Sequence, residues 1–548
     1  MPSTDDSLPS AAGSHPTTAI SRRGLLVGTA AVAAAQTLGI RTAHAEPVPR
    51  DPFGLGVASG DPLPTGVVLW TRLVADPHDA RSLGTRPVRV EWEVAADARF
   101  RRTVRRGAAT ADPALAHSVH VDVRGLEPAR DYWYRFRVGK QLSPAGRTRT
   151  APAVRSRPAA LRLGVVNCQN WQHGYWPAYS ALAEEDLDAV LHLGDYIYEL
   201  DPRSAYPDRL HTAPETPGLD QLVTLADYRA RHAQYKTDPA LQAAHAAFPW
   251  IVTWDDHDVE SNYAGLIDEH TDTGARRQDP AAFARQRAAA YQAYYEHLPL
   301  RHRIVPGSPD HRLYRRFDFG DLLRLNLLDT RQYRTDQPGG FPLDFGPPSA
   351  GTQNTSGTLT GEEQEKWLRH GLSRSRARWN VIAQQVMMSQ LRFPNFLNPA
   401  QPLPPIANLD QWDGYDPART RLLTFLRDAK VTNPVLLAGD AHSSWFSDVR
   451  IDRADLGSDP VAVEFTATSV SSDFPLAFDT ALKSYNPTLN PHVRYFDGSR
   501  RGYLRLDVDR QRWVTRARTV DSIAVRQSPV STTASWAVTA GEPGLDPA

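Results

Sequence analysis

The chain has 548 residues, of which 41% are apolar and 23% charged. That composition supports a sizeable core, and the length suggests about two to four domains. Lys+Arg and Asp+Glu each number 62, so no net charge favours nucleic acid or a membrane surface as partner. The single cysteine, Cys168, excludes an intrachain disulfide and can act only as a thiol or thiolate.

Residues 1–45 read as an address. A polar stretch leads to Ser21-Arg22-Arg23-Gly24-Leu25-Leu26, an alanine-rich apolar run reaches Ile40, and Ala43-His44-Ala45 offers a cleavage site. This order is that of a secretory signal. The paired arginines resemble a twin-arginine (Tat) signal, and the apolar run is short for a membrane span. The expectation is a removed leader and a secreted or wall-associated protein whose export partner is the Tat machinery. A retained anchor is the alternative.

Residues 50–155 read as strands. Val67–Trp70, Val88–Val94 and Tyr132–Val138 are strand-like, the latter two with near period-two alternation, and turn residues separate them. The expectation is an N-terminal β-sandwich. After a linker at Pro152–Pro158 the style changes. Apolar strands are expected at Leu161–Val166, Ala189–Leu193, Ile251–Trp254, Leu322–Leu328, Val381–Met388 and Val435–Ala438. Helical stretches are expected at Trp176–Leu187, 221–248 and 281–298. Such alternation predicts an α/β core. Three further strands (Val461–Ser469, Gly502–Val508, Trp513–Thr519) complete a domain over 160–525. Residues 526–548 are left as a C-terminal tail, and the Gly/Pro-rich stretch 336–357 as a surface loop.

Four of these strands end in polar clusters: Asn167-Cys168-Gln169; Gly194-Asp195-Tyr196-Ile197-Tyr198-Glu199; Asp255-Asp256-His257-Asp258 with Asn262 beyond; and Gly439-Asp440-Ala441-His442. Ligands of α/β sheets bind beyond the carboxyl ends of strands, so four such clusters can converge. Their content is that of a metal site. The carboxylates Asp256 and Asp440 suit calcium, whereas thiolate, phenolate and imidazole suit iron or zinc. Two cations could share Asp195 and clamp the oxygens of a phosphoryl displacement. Taken singly, each residue has a plainer reading: Cys168 as a small buried apolar group, Gly194-Asp195 as a turn, His257 as a core histidine, Tyr198 as packing.

The ordered motifs resemble the alkaline phosphatase D (PhoD-like) family, related to purple acid phosphatases and wider calcineurin-like phosphoesterases. They are Gly56-Val57-Ala58-Ser59-Gly60-Asp61-Pro62, Leu69-Trp70-Thr71-Arg72, Gly194–Glu199, Trp254–Asp258, Asp329-Thr330-Arg331-Gln332-Tyr333-Arg334, Gly439–His442 and Arg501-Gly502-Tyr503. The resemblance implies a four-layer α/β/β/α catalytic core behind the β-sandwich. It also implies ferric iron (Fe3+) with one or two calcium ions (Ca2+), and hydrolysis of phosphodiesters and phosphomonoesters. Carried over by motif position, Cys168, Asp195, Tyr198 and His442 hold iron, and Asp195, Asp256 and Asp440 hold calcium. A histidine ligand of the purple acid phosphatases falls near Gln384, where this chain has an amide.

The mechanism expected from this resemblance has His257 protonate the leaving oxygen or stabilise its charge, with Asp258 or a neighbouring carboxylate orienting it. Arg331 is expected either to clamp phosphate or to pair with Asp329. The substrate is a small or polymeric phosphate ester, phospholipids and wall polymers included, because relatives comprise enzymes described as phospholipase D and enzymes acting on wall teichoic acid. A dedicated phospholipase D would need an apolar surface such as Phe393, Phe396 and Leu397, or Trp171–Trp176. A non-catalytic wall-binding protein is disfavoured by the intact metal set. A metallo-β-lactamase-like hydrolase is disfavoured because no H-x-H-x-D-H block is present.

Overall fold

The computed structural model describes residues 51–548 apart from 78, 80–81, 200–205, 214–221, 269–278, 340–343, 350, 399, 401–403 and 453. The leader read at 1–45 lies outside the described residues.

The described chain opens with eight strands: β1 (Val57–Leu63), β2 (Gly66–Arg72), β3 (Val88–Ala95), β4 (Thr103–Ala111), β5 (Ser118–Arg124), β6 (Asp131–Val138), β7 (Gln141–Leu142) and β8 (Gly146–Arg149). Alternation along β6 buries Tyr132, Tyr134, Phe136 and Val138 on one face. These pack with Val90 and Val94 of β3 against Val67, Leu69, Val121 and Val123 of β2 and β5, forming the sandwich core. One sandwich sheet runs β4-β3-β6-β7 with β8 beside β6.

The remainder alternates in style as expected. It contains β9 (Ala160–Val166), α1 (Pro177–Glu184), β10 (Ala189–Leu193), α2 (Leu225–Lys236), α3 (Pro239–Ala247), β11 (Pro249–Thr253), α4 (Pro280–His297), β12 (Arg315–Phe319), β13 (Leu323–Leu327), β14 (Phe345–Gly346), α5 (Gly361–Ser373), β15 (Trp379–Ala383), β16 (Ala407–Asn408), α6 (Asp416–Asp428) and β17 (Pro434–Ala438). It ends with β18 (Ser444–Val449), β19 (Ala462–Thr466), α7 (Leu476–Leu489), β20 (Val493–Asp497), β21 (Arg501–Asp509), β22 (Arg512–Val520), β23 (Val530–Thr539) and β24 (Asp546–Pro547). The helical stretch at 221–248 is two helices. Pro239 cannot continue α2, and the Asp238 carboxylate restarts the chain by accepting Ala240 and Leu241 N–H.

Two sheets stack. One has ten strands, β24-β23-β22-β21-β9-β10-β11-β1-β2-β5, and the other seven, β12-β13-β15-β17-β19-β18-β20. Leu163, Val165, Leu191 and Ile251 of the first meet Leu325, Val381, Val435 and Phe465 of the second. Helices cover the outer faces: Leu182, Leu241 and Tyr291 over Val190 and Trp250, and Leu368, Leu422 and Leu426 over Ile382 and Leu436. The result is the four-layer core. Strands covered on both faces explain the unbroken apolar runs, each buried Leu or Val contributing roughly 1.5–3 kcal/mol.

Three expectations change. β1 pairs in parallel with β11, Gly60 opposite Trp250, so β1, β2 and β5 serve both the sandwich and the ten-stranded sheet. A Cβ at Gly60 would stand 2.6 Å from Pro299 O and 2.7 Å from Trp250 O, which is why glycine holds that position. The strand expected at Val381–Met388 stops at Ala383, because Gln385 turns to bond Thr253 Oγ1 and Trp254 O, both at 2.8 Å. Finally, 526–548 is not a tail. β23 pairs with β22 from Val530 to Thr539, and β24 pairs with β23. Its small and polar side chains carry little periodic signal, and cross-strand bonding makes it a strand. Deleting residues 526–548 should therefore lower the melting temperature by several degrees, about what 1–2 kcal/mol does in a domain, read by thermal denaturation of the full chain beside the truncated one.

Candidate active site

The polar clusters all follow parallel strands, and backbone bonds stitch their ends together. Cys168 N–H, after β9, donates to Gly194 O after β10 at 3.1 Å, and Gly439 N–H after β17 donates to Gln385 O after β15 at 2.7 Å. A Cβ on Gly194 would lie 2.3 Å from Asp255 Cβ, so that contact requires glycine. Cys168, Asp195, Asp440 and His442 have φ of 53°, 57°, 60° and 52°, and Asn262 has 54°. Left-handed backbone at non-glycine residues costs of order 1–3 kcal/mol each and clusters at functional sites.

The side chains converge in three overlapping groups, each able to hold a metal ion: Cys168, Asp195 and His442; Asp195, Asp256 and His257; Asp255, Asp256 and Asp440. Within each, the ligand atoms lie within 4.8 Å of one another. Tyr198 Oη donates to Asp195 Oδ2 at 2.8 Å and lies 3.1 Å from His442 Nε2. His442 Nδ1 faces Asp473 O at 2.9 Å. Its proton therefore sits on Nδ1 and the Nε2 lone pair faces the cluster, the arrangement of a metal-ligating histidine. Asp195 Oδ1, Asp255 Oδ2 and Asp256 Oδ1 are buried without a hydrogen-bond partner. Buried oxygens are rarely left so. Together with the thiol, phenol and imidazole, they fit a softer or ferric ion beside a hard divalent one.

The electrostatics agree. Burial, then the carboxylates Asp195, Asp440 and Asp255, push the Cys168 thiol well up. Burial and then Asp256 push Asp195 well up. Burial is also the main reason that Asp440 rises to about 7. All three shifts disfavour the charged forms, and cations bound there would favour them and release protons.

His257 is partnered at Nδ1 by Glu199 Oε2 at 2.8 Å, and its ring stacks on Tyr198 with centroids 4.3 Å apart. Burial pulls its pKa down, but Glu199, Asp256 and Asp195 outweigh that and hold it well above the usual range. The orienting carboxylate is thus Glu199. Asp258 instead accepts backbone N–H from Tyr196 (3.0 Å), Ile197 (3.2 Å) and Asp255 (2.9 Å), tying two strand ends together. Arg331 is corrected likewise. It is buried, with Nε to Asp255 at 2.5 Å, Nη1 to Asp410 at 2.7 Å, and Nη2 at 3.2 Å from Asp440 and 3.4 Å from Asp256. Each of its three nitrogens faces a carboxylate and the side chain is fully buried, so it stands as a counter-charge to the carboxylates and not as an exposed phosphate clamp. Asp329 touches only its backbone N–H, at 3.1 Å.

Further groups around the site have roles that the sequence alone did not assign. Glu199 and Asp255 stand inside the motifs and were legible as neighbours. Asp410, Gln411 and Asp344 come from the stretches around β14 and β16, which carry no strong pattern. Gln411 donates to Asp440 Oδ2, and Asp344 accepts the Asn262 amide at 2.6 Å while Asn262 N–H donates to Asp256 Oδ2 at 2.8 Å. Residues 336–357 are therefore not merely a surface loop. Ser472 donates to Tyr198 Oη at 2.6 Å. Gln384 accepts from Trp412 Nε1 at 3.0 Å.

Replacing Arg331 by Leu should strand its carboxylates without a counter-charge. Urea unfolding of the metal-free protein should show a loss of about 3–5 kcal/mol, the usual cost of breaking a buried ion pair.

Comparison with known proteins follows the same lines. The PhoD-like phosphatase family model matches residues 163–517, and that of the PhoD-like phosphatase N-terminal domain matches 39–152. Alkaline phosphatase D of Bacillus subtilis (strain 168) is 43% identical over 517 residues, 93% of this chain and 85% of the relative. The solved structure of PhoD superposes with a TM-score of 0.83 at 43% identity, covering 92% of this chain and 93% of that one. Purple acid phosphatase PPD1 from yellow lupin (Lupinus luteus) seeds gives a TM-score of 0.51 at 12% identity over 88% of this chain and 74% of that one, which shows a shared fold. The chain belongs to the PhoD-like phosphatase family and is a phosphoric ester hydrolase.

Proposed function

We propose that this chain is an exported, metal-dependent phosphoesterase that hydrolyses phosphodiesters and phosphomonoesters by attack of a metal-activated water. The observation that carries this is the trio of overlapping ligand groups sharing Asp195 and Asp256, with buried oxygens left unpartnered. Cys168, Asp195, Tyr198 and His442 would hold ferric iron, and Asp195, Asp256 and Asp440 one or two calcium ions. Bound there, such cations offset phosphate charge and lower the pKa of a bound water. The leader pattern at Ser21–Ala45 supports export, and no helix among the described residues is long and apolar enough to cross a membrane.

The protein's own groups supply the rest. Glu199 accepts from His257 Nδ1 and fixes the ring against Tyr198, which leaves Nε2 to protonate the leaving oxygen. Arg331 and Gln411 hold the carboxylates at their positions. Asp258 locks the Asp195–Ile197 turn to Asp255.

A phospholipase D reading is favoured by one observation. Phe345, Phe396, Phe474 and Phe478 form a half-buried aromatic cluster, and Ala441, the residue between Asp440 and His442, packs on the same apolar core. Leu397 and Leu476 are exposed beside it. Phe393 of the expected surface is buried, and so are Trp171 and Trp176, the other expected surface.

Three outcomes are expected. Metal-loaded protein should turn over a chromogenic phosphodiester, and a chelator should abolish that turnover. Asp195→Asn should lose iron on elemental analysis together with activity. Glu199→Gln should lower kcat for a poor alkyl leaving group by about 10²-fold, the low end of general-acid contributions, and for 4-nitrophenolate far less. Equal losses on both substrates would remove His257 from the acid role. Release of head groups from phosphatidylcholine vesicles, weakened by Leu476→Asp, would support the lipid reading. Wild-type turnover of soluble diesters alone would reject it.

A further inference from the structure

With Arg331 committed to four carboxylates, the grip on the substrate's phosphate must come from elsewhere. His173 ends a short 3-10 helix, Trp171–His173, capped by Asn170, whose side chain accepts Gln172 N–H at 2.9 Å. Asp473 holds two imidazoles at once. Its N–H donates to His173 Nδ1 at 3.0 Å, and its C=O accepts from His442 Nδ1 at 2.9 Å. The two rings are therefore set with opposite polarity. His442 keeps its proton on Nδ1 and turns a lone pair inward. His173 accepts at Nδ1 and carries its proton on Nε2.

The shared Asp473 peptide sets the ring beside His442 and so beside the site, and burial lowers the His173 pKa. Its side chain is 34% exposed, against 16% for His257. Among the described residues, Nε2 has no hydrogen-bond partner. A neutral N–H at the mouth of a carboxylate-lined site suits an anionic oxygen without adding a charge that competes with the cations.

We infer that His173 is a substrate-binding residue of this site, donating from Nε2–H to a phosphoryl oxygen. The inference rests on reading the site as a phosphoesterase centre. Arg331 buttresses the carboxylates from beneath, and His173 meets the substrate from the solvent side.

The test measures inorganic phosphate binding by calorimetry to the metal-loaded full chain and to His173→Asn and His173→Gln. Kinetics on bis(4-nitrophenyl) phosphate run alongside. Asn keeps an acceptor for Asp473 N–H but removes the outer donor, and Gln restores a donor at the outer position. Asn should weaken phosphate binding and raise KM by about tenfold, as expected for one hydrogen bond to a charged group, with kcat within about twofold and iron content unchanged. Gln should recover most of the loss. Unchanged phosphate affinity in the Asn variant overturns the proposal. So does a parallel loss of iron, which would make the ring only a brace for Asp473 and His442. His173-dependent phosphate binding by a wild type that turns over no ester would instead overturn the catalytic reading and support this one.

Discussion

Asp195, Asp255 and Asp256 are buried beside a largely covered Asp440, and the Arg331 guanidinium is the cation that pairs with three of the four. Like charges out of water repel strongly and are also poorly solvated. Arg331 answers part of that cost from beneath, holding Asp256 below the ordinary carboxylate range together with His257, although burial pushes the other way. Asp195, which Arg331 does not contact, is pushed well up, and Asp255 and Asp440 rise as well because burial outweighs the guanidinium. One guanidinium does not offset this much buried negative charge, and the oxygens without a hydrogen-bond partner on Asp195, Asp255 and Asp256 fit further cations.

The scaffold has to be rigid to keep such an arrangement. Four left-handed residues among the candidate ligands are held by bonds between strand ends of two different sheets. The dense apolar layer between the sheets transmits that constraint, because close-packed interiors deform little. The N-terminal sandwich adds to it. β1 shares an edge with β11, the strand that delivers Asp255 and Asp256, so the sandwich is structurally continuous with the site's support.

Polar and apolar groups meet at the rim. Asp473 orients His173 and His442, while Ser472 bonds Tyr198 and Cys168 O. Phe345 and Phe474, next in sequence to Asp344 and Asp473, belong to an aromatic cluster with Phe396 and Phe478.

Much of this was legible in the sequence. Unbroken apolar runs ending in Gly-Asp, Asp-Asp-His-Asp and Gly-Asp-Ala-His marked the strand ends, and the structure brings Cys168, Asp195, Tyr198, Asp256, His257, Asp440 and His442 together there. Such local patterns survive because each strand and its following turn are specified by adjacent residues. What lay across the chain was not legible. The partner of Arg331, the pairing of β1 with β11, the recruitment of Val530–Thr539 and the choice of Glu199 over Asp258 for His257 all join residues far apart in sequence. A guanidinium reads the same whether it faces solvent or four carboxylates. The sequence by itself determined which chemistry would gather at the strand ends, and only the tertiary structure decided which charges would be buried against which, because that depends on packing that no local pattern encodes.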